Sequence, residues 1–265
     1  MWREPSIGMI GRDAILRNKI LPRLNAKKQF VLSGQAGIGK TALLEWAFDK
    51  CNPGTSAKAF TTGALAHGQM VKEIADQWGI PTAKQQIKEL EKLILQQTGN
   101  FLFVDELIKL SAASITFFKV VKERNFFYGA MRNERMKEDL KQLLWGFEIF
   151  KVGSLSGKDN TRLALQAALH FGCNVSHHQI AVAAHGVPGR IHSFCKTGEI
   201  PKDDTRMRSE EIDISPVIFM GAVFLILLRY VGRATSATDL VMVGGFAMVI
   251  MIVLRGVFSS ARKKN

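Results

Sequence analysis

Eight consecutive residues, Gly34-Gln35-Ala36-Gly37-Ile38-Gly39-Lys40-Thr41, follow directly on the apolar run Phe30-Val31-Leu32 and obey the pattern G-x-x-x-x-G-K-[ST]. That pattern demands a strand before it and a helix after it, because its job is to wrap a loop of backbone around phosphate. The glycines let the chain curl so that its N–H groups point inward at anionic oxygens. Lys40 supplies a point charge for the β- and γ-phosphates, and the Thr41 hydroxyl can ligate Mg²⁺. The helix opening at Ala42 aims its positive dipole end at the same anion. Residues Gly34 through Ala42 are therefore the candidate nucleotide-binding segment.

The chain around this loop reads as alternating strands and helices. Strands are expected at 30–32, 57–61, 101–106, 125–128 and 147–152. Helices are expected at 10–25, 41–50, 65–78, 82–97, 112–122 and 135–144. Such alternation predicts an α/β core with a parallel sheet and helical crossovers. Residues 155–200 read as wholly helical, which adds a small helical domain. The expected organisation is a core over 1–153, a helical lid over 154–200, a charged linker over 201–213 and an apolar hairpin over 214–258.

A second candidate element is Phe101-Leu102-Phe103-Val104-Asp105-Glu106, a short apolar run ending in two acids. Such a run is a buried strand when bounded in this way. Asp105 at its end can hold Mg²⁺ together with Thr41. Glu106 can accept the proton of an attacking water or orient it. An acid pair at a strand end is common on its own; coupled to the upstream loop, it predicts nucleotide hydrolysis, with Lys40 stabilising charge.

Composition bounds the partners. The formal net charge of +13 favours anionic ones: nucleotide, nucleic acid or lipid headgroups. Three cysteines with no C-x-x-C argue against a disulfide framework. The first residues, Met1-Trp2-Arg3-Glu4-Pro5, lack the apolar stretch of a cleaved signal. Residues 216–228 and 240–254 carry no charge and are nearly all apolar. Each with its flanks falls slightly short of the roughly 20 residues of an untilted span. Joined by the short link 229–239, they predict two transmembrane helices in a hairpin with both ends on one side. The Lys/Arg balance puts those ends in the cytoplasm, at the inner face of the plasma membrane.

With these elements in view, the chain resembles AAA+/STAND-type P-loop ATPases of the Orc/Cdc6–ExeA–MuB-like groups, over residues 6–200. Ile10-Gly11-Arg12-Asp13 resembles the "GR[DE]" box that lines the adenine pocket, and residues 34–41 and 101–106 resemble the Walker A and B elements. Residues 147–156 resemble the last core strand running into the turn that opens the lid. Gly186-Val187-Pro188-Gly189-Arg190-Ile191 resembles the segment that bears the lid's sensor-2 arginine. The resemblance implies ATP and Mg²⁺ as cofactors, with Ile10, Gly11 and Arg12 against the base and Arg190 as a catalytic arginine. It also implies a homo-oligomer. Departures from the family pattern remain: the sensor-1 position falls among Tyr128, Arg132 and Asn133, and an arginine finger among Arg124, Arg132 and Arg135. No N-K-x-D specifies guanine, so ATP is expected over GTP.

Other readings follow from the same residues. The stretch 119–141 mixes seven Lys/Arg with aromatics and leaves nucleic acid open as a partner. Its blander reading is a core strand and helix with a solvated face. A nucleotide-gated switch that perturbs the membrane is a further alternative. Cys173 with His177, and His192 with Cys195, have helical spacings compatible with Zn²⁺, but no supporting motif accompanies them. The protein client is not legible.

Overall fold

Phe101-Leu102-Phe103-Val104-Asp105 is buried at every position, which requires a central strand covered on both faces. In the computed structural model, which describes residues 9–83, 85–134 and 136–200, this strand is β3 of a five-stranded parallel sheet of order β2-β3-β4-β1-β5. The strands are β1 (Phe30–Gly34), β2 (Lys58–Thr62), β3 (Phe101–Asp105), β4 (Phe126–Arg132) and β5 (Glu148–Lys151). The hairpin and linker expected over 201–258 lie outside the described residues. No helix among the described residues is long and apolar enough to cross a membrane.

Successive strand residues face opposite sides, so one strand feeds two cores. Phe101 and Phe103 pack with Phe30, Leu32, Tyr128 and Phe150 on one side of the sheet. Helix α3 (Lys40–Lys50) covers that side through Leu43, Leu44 and Ala47, together with α1 (Asp13–Ile15) and α2 (Leu21–Asn25). Leu102 and Val104 pack on the other side with Val31, Phe127 and Met131. There they meet α4 (His67–Gln77), α5 (Ile87–Gln96), α6 (Ala112–Arg124) and α7 (Glu138–Leu143). The aromatic half of the 119–141 stretch is accordingly core: Phe127 and Tyr128 are fully buried.

Between α1 and α2 the helical stretch passes through a π-type turn, Leu16–Ile20. Pro22 follows it in the first turn of α2. Proline has no N–H to donate to the carbonyl four residues back, and its ring crowds that carbonyl. A widened turn absorbs both problems without ending the helix.

After β5 the chain forms three helices: α8 (Gly157–Phe171), α9 (His177–Ala184) and α10 (Pro188–Thr197). They enclose a separate cluster of Leu163, Ala164, Ala167, Ile180, Ala181, Ala184, Ile191 and Phe194. Ser156 caps α8 by accepting from the Asp159 N–H at 3.2 Å, which satisfies one of the orphan donors of the first turn. Asn160 ties α8 to α9 by donating to the Ala181 carbonyl at 2.6 Å.

Candidate phosphate-binding site

Parallel strands end at a common edge, and register decides which residues share it. Gly34 lies level with Arg132 across β1 and β4, and Thr62 lies level with Asp105 across β2 and β3. Ligands of open α/β sheets bind at this carboxyl edge. A pocket opens there, lined by Ala36, Gly37, Lys40, Thr41, Asp105, Glu106, Lys109, Arg132 and Glu134, with Ile108 and Met131 as its apolar wall.

The loop after β1 turns through left-handed glycines, with φ of +74° at Gly37 and +94° at Gly39. Side-chain-bearing residues rarely adopt these angles. Lys40 is buried, and its ammonium donates to the Gln35 carbonyl at 2.8 Å. Burial pushes the Lys40 pKa below its usual range; the neighbouring Asp105 and Glu106 act against that, while Arg132 adds to it. Thr41 Oγ1 donates to Asp105 Oδ2 at 2.6 Å. A hydroxyl and a carboxylate held together in this way are the oxygen donors a hard divalent cation takes.

Glu106 follows with a left-handed backbone, φ +51°, an uncommon conformation for a residue with a side chain. Its N–H donates to Asp105 Oδ1 at 2.7 Å. Its carboxylate pairs with Lys109 Nζ at 2.7 Å and accepts a long bond of 3.5 Å from Thr62 Oγ1. Sequence reading passed over Lys109 and Thr62. Lys109 stands three residues past Glu106 on the 3₁₀ turn Leu107–Lys109, whereas Thr62 becomes relevant only through strand register.

The sensor-1 candidates separate clearly. Tyr128 lies inside an aromatic stack, its ring centroid 4.8 Å from that of Phe103 and 4.9 Å from that of Phe30. Asn133 is exposed and outside the pocket lining, and its backbone N–H donates to the Gly34 carbonyl at 3.2 Å. Arg132 lines the pocket, 3.6 Å from Glu134. Of the arginine-finger candidates, Arg124 is the last residue of α6 and donates to the Leu95 carbonyl, and Arg135 lies outside the described residues.

The Ile10–Arg12 segment is wedged between sheet and helices. Ile10 packs against the three-helix cluster. The buried Arg12 guanidinium donates to the carbonyls of Gly153 at 2.7 Å and Ile38 at 2.8 Å. Burial lowers the pKa of that guanidinium, and the carboxylate of Asp159 works in the opposite direction. Arg190 sits in the first turn of α10, outside the lining of the pocket. Its neighbour Gly189 donates to the Gly37 carbonyl at 2.8 Å. A methyl group on Gly189 would lie 2.8 Å from Gly37 Cα, so the approach of helix to loop requires glycine.

Among the described residues no group of three or more His, Cys, Asp and Glu side chains is arranged to hold a metal. Cys195 is hydrogen-bonded to Cys173, and burial pushes the Cys195 thiol up to about 11.

No family model matches the chain, and no curated protein matches it. Solved structures do resemble it. A RuvB point mutant from Thermotoga maritima aligns with a TM-score of 0.50 at 18% identity, over 71% of this chain and 61% of that one. A DNA replication initiation factor aligns with a TM-score of 0.50 at 13% identity, over 74% of this chain and 64% of that one. A replication initiator DnaA bound to AMPPCP and single-stranded DNA aligns with a TM-score of 0.49 at 12% identity, over 86% and 71%. The chain thus spans 61% of the length of the RuvB structure. The described residues, with their five-stranded parallel sheet, share the α/β fold of these RuvB and replication initiation factor structures.

Proposed function

We propose that this chain binds and hydrolyses ATP, and that nucleotide state drives a conformational change or oligomerisation at the cytoplasmic face of a membrane. The observation carrying this reading is the convergence of Lys40, Thr41, Asp105 and Glu106 on one pocket, with Thr41 bonded to Asp105 at 2.6 Å. The donor set fits Mg²⁺, which Thr41 and Asp105 would hold; when bound, the ion supplies charge neutralisation for the phosphates. The N–H groups of residues 34–42 cradle phosphate, and Lys40 compensates the charge that develops on it. Glu106 orients the attacking water and takes its proton. Arg132 faces the same pocket and is the assigned sensor-1 side chain. Arg190 approaches from the helical lid when the angle between lid and core closes, or an arginine from a neighbouring copy completes the site. Ile10, Gly11 and the backbone of Arg12 form the base-side wall, while the Arg12 side chain is engaged with the carbonyls of Ile38 and Gly153.

The membrane part of the reading rests on the uncharged runs 216–228 and 240–254. The motion of such a membrane-anchored ATPase would serve secretion or assembly machinery.

The test is ATP turnover by the wild type against Lys40→Ala and Glu106→Gln, with oligomeric state followed in parallel. Equal turnover in all three proteins ends the enzyme reading. Membrane fractionation of the full chain against a deletion of 212–265 tests the anchor: recovery of both without detergent rejects it.

A further inference from the structure

Two consecutive carbonyls of the phosphate-binding loop are held from outside the loop. The Gly37 carbonyl accepts from the Gly189 N–H at the start of α10, and the Ile38 carbonyl accepts from Arg12. The other arm of the same guanidinium holds the Gly153 carbonyl, just past β5 where the chain leaves the sheet for the three-helix bundle. The carboxylate of Asp159, in the first turn of α8, faces Arg12 electrostatically. One buried side chain therefore touches the loop and the exit to the bundle, and senses the bundle's first helix.

A guanidinium is planar, with its donors in a rigid fork. Bonds to carbonyls from both arms fix the separation of residues 38 and 153. In a trans peptide the N–H points away from its carbonyl. A loop carbonyl captured by Arg12 therefore turns the next N–H, that of Gly39, away from Arg12. The Gly189 bond does the same for the peptide joining Gly37 to Ile38, whose N–H otherwise makes only a long 3.4 Å turn bond to Gln35.

We infer that Arg12 is a positioning residue, a strap that makes the phosphate-binding shape of the loop depend on the docking of the helical bundle. The inference rests on the ATP-binding reading and adds to it how lid and loop communicate. Bundle docking and loop preorganisation are then one event: release of the bundle pulls at residue 153, frees the Ile38 carbonyl and lets the loop lose its inward N–H groups. Arg12 acts on nucleotide through the backbone.

The experiment compares full-length wild type, Arg12→Lys and Asp159→Asn. Lysine keeps the positive charge facing Asp159 but, as a single point donor, cannot hold both carbonyls. Asp159→Asn removes the charge and keeps an oxygen to accept from Ser156. The first readout is hydrogen exchange without nucleotide. Arg12→Lys is expected to speed exchange at two bonded amides, Gly189 on Gly37 and Leu155 on Gly186, while β3 and β4 amides stay as in the wild type. Asp159→Asn is expected to do the same to a smaller extent. The second readout is dissociation of the fluorescent analogue mant-ATP, expected to be roughly tenfold or more faster in Arg12→Lys, as loss of a buried charged hydrogen bond implies. Unchanged exchange at both amides in both variants overturns the strap. So does faster exchange spread evenly through the sheet, which marks a general loss of stability. Failure of the wild type to bind mant-ATP removes the ATP reading instead, and the nucleotide-free exchange still judges the strap.

Discussion

Thr41 Oγ1 donates to Asp105 Oδ2 at 2.6 Å, joining the helix after β1 to the end of β3 across 64 residues of sequence. Neither residue belongs to a hydrophobic core, so their meeting reflects the parallel sheet that brings both strand ends to one edge. Replacing Asp105 by Asn keeps a hydrogen-bonding oxygen but removes the charge that would hold Mg²⁺. The expected outcome is loss of Mg²⁺-dependent turnover with ATP binding weakened but detectable, measured by phosphate release and equilibrium binding over a Mg²⁺ titration.

Glu106→Gln is expected to reduce turnover roughly 10²-fold or more, the usual contribution of a positioned general base, while leaving ATP binding near the wild-type level. Phosphate release alongside nucleotide affinity checks this. A variant that turns over normally removes Glu106 from the chemistry.

Lys109 pairs with that same carboxylate at 2.7 Å. The pair is half exposed, so the interaction is worth no more than about 1 kcal/mol. Lys109→Met is expected to free Glu106 and raise turnover by at most about fivefold at low salt. The gain should shrink as added salt screens the wild-type pair. Turnover in both proteins across an ionic-strength series is the measurement.

Lys40 carries a charge that burial disfavours. A lysine with a lowered native pKa releases its proton more readily when folded, so the unfolded chain binds more protons in the interval up to the usual value. Native stability therefore rises with pH through that interval. Lys40→Met lacks the effect. Without nucleotide, Lys40→Met is expected to be more stable than the wild type at neutral pH, and the advantage should narrow as pH approaches 10.5, the ordinary lysine value. Urea midpoints at several pH values decide it; an advantage that grows with pH refutes the assignment.

The Tyr128 hydroxyl is buried with no hydrogen-bond partner among the described residues, and burial holds its pKa above the ordinary tyrosine range. An orphaned buried hydroxyl costs about 1–3 kcal/mol. Tyr128→Phe is therefore expected to stabilise the chain by up to that amount in urea unfolding. A destabilised variant would mean that the hydroxyl has a partner in solution.

The local grammar of the chain carried much of this architecture. The glycine-lysine-threonine loop needs a strand and a helix on either side, and the uniform apolarity of residues 101–104 needs a central strand; both requirements are local, and both are met. The boundaries were less legible. β4 extends to Arg132 because Gly129, Ala130 and Met131 pair with β1, and small or flexible residues signal a strand weakly until a neighbour covers them. Strand order was beyond local reading altogether. Lys109 could have been noticed by its spacing from Glu106, but Thr62 reaches the pocket through pairing between strands distant in sequence, and the same kind of pairing singles out Arg132 from the sensor-1 candidates.

What the chain determined by itself is the set of groups able to hold a triphosphate, since backbone curvature and residue chemistry there depend on a few contiguous positions. What tertiary structure alone decided is which of them work together. Arg12 shows the difference: sequence reading assigned it to the base pocket, whereas folding turned its guanidinium onto the carbonyls of Ile38 and Gly153. A hydrogen-bond donor is chosen by what lies within about 3 Å of it, and that distance is fixed only when sheet and helical bundle have packed.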